Sequence, residues 1–146
     1  MPGKTIKELH VGDHASYHKV ITADMVNLFA TVSGDHNPIH LDDNYAKQTI
    51  FGERIAHGAL ISSLFSTILG TELPGEGCIY MSQSSRFIAP VKIGDEITAT
   101  VTVSQIIEEK NRVILETVAK NQEGQPVVIG EALVFPRKQK WQKVNY

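Results

Sequence analysis

The sequence predicts an α+β fold in which an antiparallel sheet of about five strands wraps around one central apolar helix. No charged side chain occurs from His57 to Gly70, which is typical of a helix covered by other structure. The second half of the chain consists of β-branched, often alternating segments separated by turn residues, which is typical of antiparallel strands.

The first elements are a strand and a helix. The segment from His14 to Val20 predicts a short strand after a glycine turn. Thr22 is a good N-cap for a helix from Ala23 to Val32, whose apolar residues recur at helical spacing. Ser33-Gly34 predicts the end of that helix.

A turn, a short helix and a loop precede the central helix. Asn37-Pro38 predicts a turn, and Asp42 or Asp43 is suited to cap a short helix that runs through Lys47. A loop follows over 51–54, and the central apolar helix is expected to end near Gly70.

The remaining elements are strands. Turns at 109–111 and 122–124 indicate hairpins. The predicted strands are Cys78–Phe87, Glu96–Glu108, Arg112–Lys120 and Val127–Pro136. Because the open edges of so small a sheet are usually paired with a second subunit, a homodimer is expected.

Composition places the chain among ordinary single-domain proteins. Its 146 residues suit one domain over 1–146, with a core over about 11–136 and a basic C-terminal tail over 137–146. The net charge of −2 comes from mixed charges, which argues against a basic nucleic-acid-binding face. A solvated end is favoured over a phosphate-binding segment for the tail, whose basic residues are Arg137, Lys138, Lys140 and Lys143.

Location is predicted from what the sequence lacks. No apolar run approaches the ~18 residues of a membrane span, and the N-terminus has no stretch of signal-peptide type. The cytoplasm is therefore expected. The single cysteine, Cys78, permits no intrachain disulfide and is expected to be an inert core thiol.

The segment from Phe29 to Ala46 is the most informative part of the chain. It places Asp35 close to His40, after Gly34 and across Asn37-Pro38. A carboxylate and an imidazole held in a rigid turn are the groups needed to activate a water molecule. The alternative is that Asp35 begins an Asx turn and His40 packs against a helix. The position of the motif just before the uncharged helix favours catalysis.

Gly58 begins the predicted central helix. Backbone N–H groups at a helix start lack intrahelical partners, and the helix dipole there favours negative charge. A glycine also lets a ligand oxygen approach the backbone, so Gly58 is a candidate oxyanion donor. The alternative is that Gly58 only permits close packing.

Histidines raise the question of a metal. His10, His14 and His18 recur at every fourth position, but along a strand four residues span ~13 Å, too far to share one ion. Asp35, His36 and His40 form a second candidate set. Because the chain supplies no further ligand spacing of a known closed site, no metal is expected.

These motifs resemble the signature of the MaoC-like, or hydratase 2, family, which includes (R)-specific enoyl-CoA hydratases. The likeness covers Val11 to Pro136. The matching residues are Phe29, Ser33-Gly34-Asp35, Asn37-Pro38-Ile39, His40 and Ala46, with further matches at 56–58, 64–66, 77–80 and 87–96.

The resemblance implies a single hot-dog fold, a homodimer with a continuous sheet, a CoA-thioester substrate and no cofactor. It implies that Asp35 and His40 activate a water that adds across the double bond of a trans-2-enoyl-CoA, giving the (R)-3-hydroxyacyl-CoA. Asn37 would orient this segment or its water, and the Gly58 N–H would stabilise the enolate oxygen. The acyl pocket is expected to involve Leu64, Phe65, Ser66 and Leu69.

Several alternatives remain open at this stage. The same residues suit a dehydratase of acyl-carrier-protein thioesters, or a hydratase of branched or dicarboxylic acyl-CoA. A hot-dog domain that only binds acyl thioesters and a thioesterase are the other candidates, since fold alone does not fix function. The acyl chain length is not specified by the sequence. The pathway is also open among polyhydroxyalkanoate precursor supply, β-oxidation and butyrate metabolism.

Overall fold

Five antiparallel strands form a single sheet in the computed structural model, which describes residues 2–139 and 145–146. Their order in the sheet is β1-β3-β4-β5-β2, so β1 and β2 are its edges. The strands are β1 (His14–Val20), β2 (Ile79–Phe87), β3 (Glu96–Ile107), β4 (Arg112–Lys120) and β5 (Pro126–Phe135). All five lie where the sequence predicted strands.

The sheet buries one face, as the alternating sequence predicts. On β3 the inward residues are β-branched or small, and they alternate with exposed or half-buried neighbours. The same pattern recurs on β4. Register shifts interrupt the ladders at Tyr80/Ser82, Val103/Gln105 and Ala119/Lys120. Such bulges increase the local twist of a sheet.

The central helix, α4 (Gly58–Thr71), contacts all five strands, which confirms a sheet wrapped around one helix. Its buried side chains are Leu60, Ile61, Leu64, Phe65, Ile68 and Leu69. The expectation that α4 is covered on all sides is wrong for the isolated chain, because Ser63, Ser66 and Thr67 are exposed. These side chains are uncharged but polar, so the absence of charge does not require burial.

Three shorter helices connect β1 to α4. Helix α1 (Ala23–Ser33) is capped by the Thr22 hydroxyl, which accepts from the Met25 N–H at 3.2 Å. It ends at Gly34, whose φ of 82° is the left-handed conformation that favours glycine. Helices α2 (Pro38–Leu41) and α3 (Asp43–Lys47) follow. Where the sequence predicted a turn at Asn37-Pro38, the chain forms the one-turn helix α2.

The ends of the chain pack on each other. Arg137 donates from Nε to the Gly3 carbonyl, and its guanidinium lies 4.0 Å from the Glu8 carboxylate. The prediction of a solvated end is therefore wrong for Arg137. The Lys138 ammonium lies 5.6 Å from the centre of the Phe135 ring. Lys140 and Lys143 lie outside the described residues.

Two sequence expectations concern other parts of the chain. Cys78 donates from Sγ to the Leu69 carbonyl at 3.0 Å, and burial raises the pKa of its thiol. An inert, neutral thiol is consistent with both observations. Within the described residues, no helix has the length and apolar character needed to cross a membrane.

Candidate active site

The segment that joins α1 to α2 is held by its own side chains. Ser33 Oγ accepts from the Asp35 N–H at 3.1 Å, and Asp35 Oδ1 accepts from the Asn37 N–H at 3.1 Å. Asn37 Oδ1 caps α2 by accepting from the Ile39 N–H at 3.2 Å. Asp35 therefore does form the expected Asx turn. Its carboxylate remains exposed, so the structural and catalytic interpretations are compatible.

His40 lies in α2 and is only 8% exposed. Its Nδ1 is 2.7 Å from the Ile55 carbonyl oxygen. Because a carbonyl can only accept, Nδ1 carries the proton, and Nε2 of the neutral ring keeps its lone pair. Burial lowers the pKa of His40 below its usual 6.5, although the bond to Ile55 opposes this. The ring is therefore a neutral base.

Arg54 holds the backbone of His40. Its Nε donates to the His40 carbonyl at 2.6 Å, and its Nη2 donates to Asn27 Oδ1 on α1 at 2.9 Å. One guanidinium thereby joins α1 to α2 across the segment that carries Asp35. No local pattern in the sequence marks Arg54 as a residue of the site, and no role was predicted for it.

His57, the N-cap residue of α4, is 2% exposed and lies against His40. The two rings stack with centroids 3.9 Å apart and planes 28° apart. On its other side His57 contacts the Phe29 ring at 4.9 Å. Nε2 of His57 donates to the Asp35 carbonyl at 3.1 Å, whereas Nδ1 is buried without a partner among the described residues. His57 lies in the segment 56–58 that matches the family signature, but the sequence predicted no role for it in the site.

Asp35, His40 and His57 bring a carboxylate oxygen and two ring nitrogens within 4.8 Å of one another. The sequence offered Asp35, His36 and His40 as a candidate metal set. The structure places His57, rather than the exposed His36, in the cluster. Nδ1 of His40 and Nε2 of His57 each face a carbonyl oxygen and carry a proton, which leaves one lone pair on each neutral ring. These lone pairs and the Asp35 carboxylate can accept hydrogen bonds from a bound water.

The predicted N-terminal histidines lie elsewhere. His14 and His18 occupy exposed positions of β1, and His10 is exposed before it. His18 instead faces Thr98 and Glu96 of the neighbouring strand. None of these histidines joins the cluster around His40.

An apolar cavity of about 510 Å³ adjoins His40 and Gly58. Gly58 is the first residue of α4, where the backbone N–H has no preceding turn to bond. A Cβ on Gly58 would lie 2.7 Å from the Phe87 ring, so close packing also requires glycine. The other lining residues are Phe51, Ile55, Ala56, Ala59, Ile61, Phe87, Ile88, Ala89, Pro90, Val91 and Val128.

The four residues expected in an acyl pocket do not line this cavity. Leu64, Phe65 and Leu69 are buried in the core. Ser66 lines a second, more open groove of about 380 Å³, together with Ser62, Ser63 and residues of β2. This groove adjoins the first cavity, because Ala59 and Phe87 line both. Their role in binding the acyl chain stays a prediction.

Comparisons with known proteins agree with the geometry. An (R)-specific enoyl-CoA hydratase of Rhodospirillum rubrum is 45% identical over 129 residues, 88% of this chain and 89% of that protein. The solved structure of an (R)-hydratase from A. caviae, involved in PHA biosynthesis, superposes with a TM-score of 0.86. Its sequence is 45% identical to this one, and the match covers 88% of this chain and 97% of that chain.

The structure of an R-hydratase from Pseudomonas aeruginosa has a TM-score of 0.89 at 41% identity, covering 99% of this chain and 95% of that chain. These similarities confirm the expected hot-dog fold. The pattern of the MaoC like domain matches residues 10–125. The chain belongs to the MaoC-like domain family.

Proposed function

We propose that the protein is an (R)-specific enoyl-CoA hydratase, a hydro-lyase that reversibly adds water to a trans-2-enoyl-CoA and forms the (R)-3-hydroxyacyl-CoA. One observation carries this proposal. The same apolar cavity is lined by His40, whose Nε2 is unprotonated, and by Gly58, which begins a helix. The Asp35 carboxylate lies beside His40. Two relatives named (R)-specific enoyl-CoA hydratase, each 45% identical to this chain over the aligned residues, support it.

Asp35 and His40 are spaced to hold one water between them. A water that makes two hydrogen bonds of ~2.8 Å bridges groups up to ~5.5 Å apart. The carboxylate oxygen and the ring nitrogen lie within 4.8 Å. As the water oxygen adds to C3, this pair accepts one proton, and it delivers a proton to C2 on the same face. The net result is syn addition of one water molecule.

The thioester oxygen needs stabilisation during this addition. When oxygen bonds to C3, the electrons of the double bond move towards the carbonyl and form an enolate. The Gly58 N–H at the start of α4 is suited to donate to that oxygen, and the helix dipole adds to the effect. The apolar lining of the cavity strengthens both interactions, because it excludes water from around the charge.

Turnover of crotonyl-CoA with chiral analysis of the product tests the proposal. We expect (R)-3-hydroxybutyryl-CoA, and we expect Asp35→Asn and His40→Gln each to lower kcat by about 10²–10⁴-fold. His36→Gln is the matched control in the same loop. It changes an exposed histidine outside the cluster and should leave the rate unchanged.

Each part of the proposal has its own contrary result. A wild type that is inert on a panel of enoyl-CoA chain lengths rules out the hydratase. Full activity of both substituted forms rules out the roles of Asp35 and His40. Release of free thiol would instead indicate a thioesterase.

We further propose that the protein works in the cytoplasm as a homodimer on CoA thioesters. The sheet has two edge strands, β1 and β2, and no strand among residues 2–139 and 145–146 pairs with the outer side of either. Open edges of this kind are commonly paired across a subunit interface.

A further inference from the structure

We infer that His57 is a positioning residue that fixes the water-activating pair relative to the Gly58 N–H. This inference rests on the proposed function, because Gly58 matters only if an oxyanion forms near it. His57 touches no reacting atom in this scheme. It acts by holding the groups that do.

The side chain of His57 contacts both residues proposed to activate the water. Its ring stacks on His40 of α2 and also contacts the tilted ring of Phe29 of α1. Its Nε2 donates to the Asp35 carbonyl at 3.1 Å, in the turn between those two helices. One ring therefore limits the movement of both Asp35 and His40.

The backbone of His57 belongs to the other half of the site. Its carbonyl accepts from the N–H groups of Leu60 at 3.1 Å and Ile61 at 3.4 Å, which fixes the first peptide plane of α4. Because a peptide is planar and trans, the Gly58 N–H must point away from that carbonyl. The same residue therefore sets the direction of the proposed oxyanion donor.

Packing alone does not account for a histidine at this position. The carbonyl of Asp35 requires a proton on Nε2, so the neutral ring has a bare Nδ1. That nitrogen is buried and has no partner among the described residues. An apolar ring of similar shape would avoid the cost of this unpaired nitrogen. The bond to Asp35 is the interaction that only the histidine supplies.

Two substitutions separate the bond from the ring. His57→Phe keeps an aromatic ring against His40 but removes the donor, whereas His57→Gln keeps an N–H at similar reach. We expect His57→Phe to lower kcat by about 100-fold with little change in KM, since small misplacements cost this much. His57→Gln should recover kcat to within about 10-fold of the wild type. His18→Phe, an exposed change on β1, is the matched control.

The pH profile supplies a readout that a purely structural role would not move. The groups acting on the His40 ring are the Ile55 carbonyl, the Asp35 carboxylate and His57. Of these, only His57 acts to lower the pKa of His40, because a positive charge on one of the two stacked rings opposes a positive charge on the other. Replacing it with phenylalanine should move the acid limb of kcat/KM to higher pH.

The carbonyl carbon chemical shift of Asp35, measured by NMR, decides the inference independently of turnover, because it responds directly to a hydrogen bond on that carbonyl. We expect His57→Phe to move this resonance and His57→Gln to restore it. Wild-type kcat and an unmoved Asp35 carbonyl resonance in folded His57→Phe would overturn the inference. If that variant does not fold, His57→Gln alone decides, because loss of the hydrogen-bonded Asp35 resonance in it would overturn the inference equally. An inert wild type refutes the proposed function and leaves this NMR comparison in force.

Discussion

At the scale of single residues, each of the proposed catalytic groups is held in place through one polar atom and keeps another free for chemistry. Asp35 holds its turn through Oδ1, and His40 holds its ring through Nδ1 on the Ile55 carbonyl. Asn37 uses Oδ1 to cap α2, so its side-chain NH2 group is the part left for orienting the segment or its water. Groups fixed in this way lose little entropy when the substrate binds, which is what preorganisation requires.

The burial of His40 predicts the acid side of the pH profile. His40 must be neutral to accept a proton, and burial holds its pKa below 6.5. We therefore expect kcat/KM for crotonyl-CoA to fall on acidification with a midpoint below pH 6.5. The measurement is a pH series on the free enzyme with substrate well below KM. A midpoint at or above 6.5 would show that burial does not keep this ring neutral.

At the scale of elements, the sequence predicted the helices and strands that are marked by a local pattern of residues. Gly34 ends α1 because glycine adopts the left-handed conformation there at little cost. Helix α2 was missed because a single turn is too short to show a hydrophobic period. The exposed face of α4 was also missed, since serine and threonine are uncharged and leave no charged stripe to mark the solvent side.

The same distinction applies to the candidate site. Asp35, His40 and Gly58 were predicted because each lies in a short motif with its own chemistry. His57 lies in the same motif as Gly58, but its contacts with Asp35 and His40, like the bond from Arg54 to His40, form only through tertiary packing. No spacing in the sequence encodes the stacking of His57 on His40. The expected acyl-pocket residues were chosen without knowledge of which face of α4 turns towards the core.

Two glycines of α4 provide a test of what this helix does. A Cβ on Gly58 would lie 2.7 Å from the Phe87 ring at the cavity, whereas a Cβ on Gly70 meets nothing within 4 Å. We expect Gly58→Ala to lower kcat by about 10²-fold, because the start of α4 must shift to relieve the contact with Phe87 and the oxyanion donor moves with it. Gly70→Ala should raise the free energy of unfolding by about 0.5–1 kcal/mol with unchanged activity. Kinetics and urea unfolding of both variants are the measurements, and wild-type kcat in Gly58→Ala would contradict the role of this glycine.

At the scale of the whole molecule, the two sheet edges differ in character. The exposed positions of β1 are mostly polar, with His14, Ser16 and His18 on the outside. At the other edge, β2 exposes the polar residues Ser82, Ser84 and Arg86, but it also exposes Tyr80 and Phe87, the latter by 59%. Ile88, just beyond β2, is 45% exposed. Polar residues discourage pairing between strand edges, and apolar ones favour it. The β2 edge is therefore the better interface.

We expect the protein to be a homodimer that pairs through β2. Ser84 on β2 and Ser16 on β1 are both exposed serines within edge strands, so lysine at each position makes a matched pair of variants. Because buried like charges meet across a two-fold interface, Ser84→Lys should shift the protein to a monomer, whereas Ser16→Lys should leave it a dimer. Light scattering over a dilution series measures both. Dissociation of Ser16→Lys with an intact Ser84→Lys dimer would place the interface on β1, and a monomeric wild type would refute the dimer.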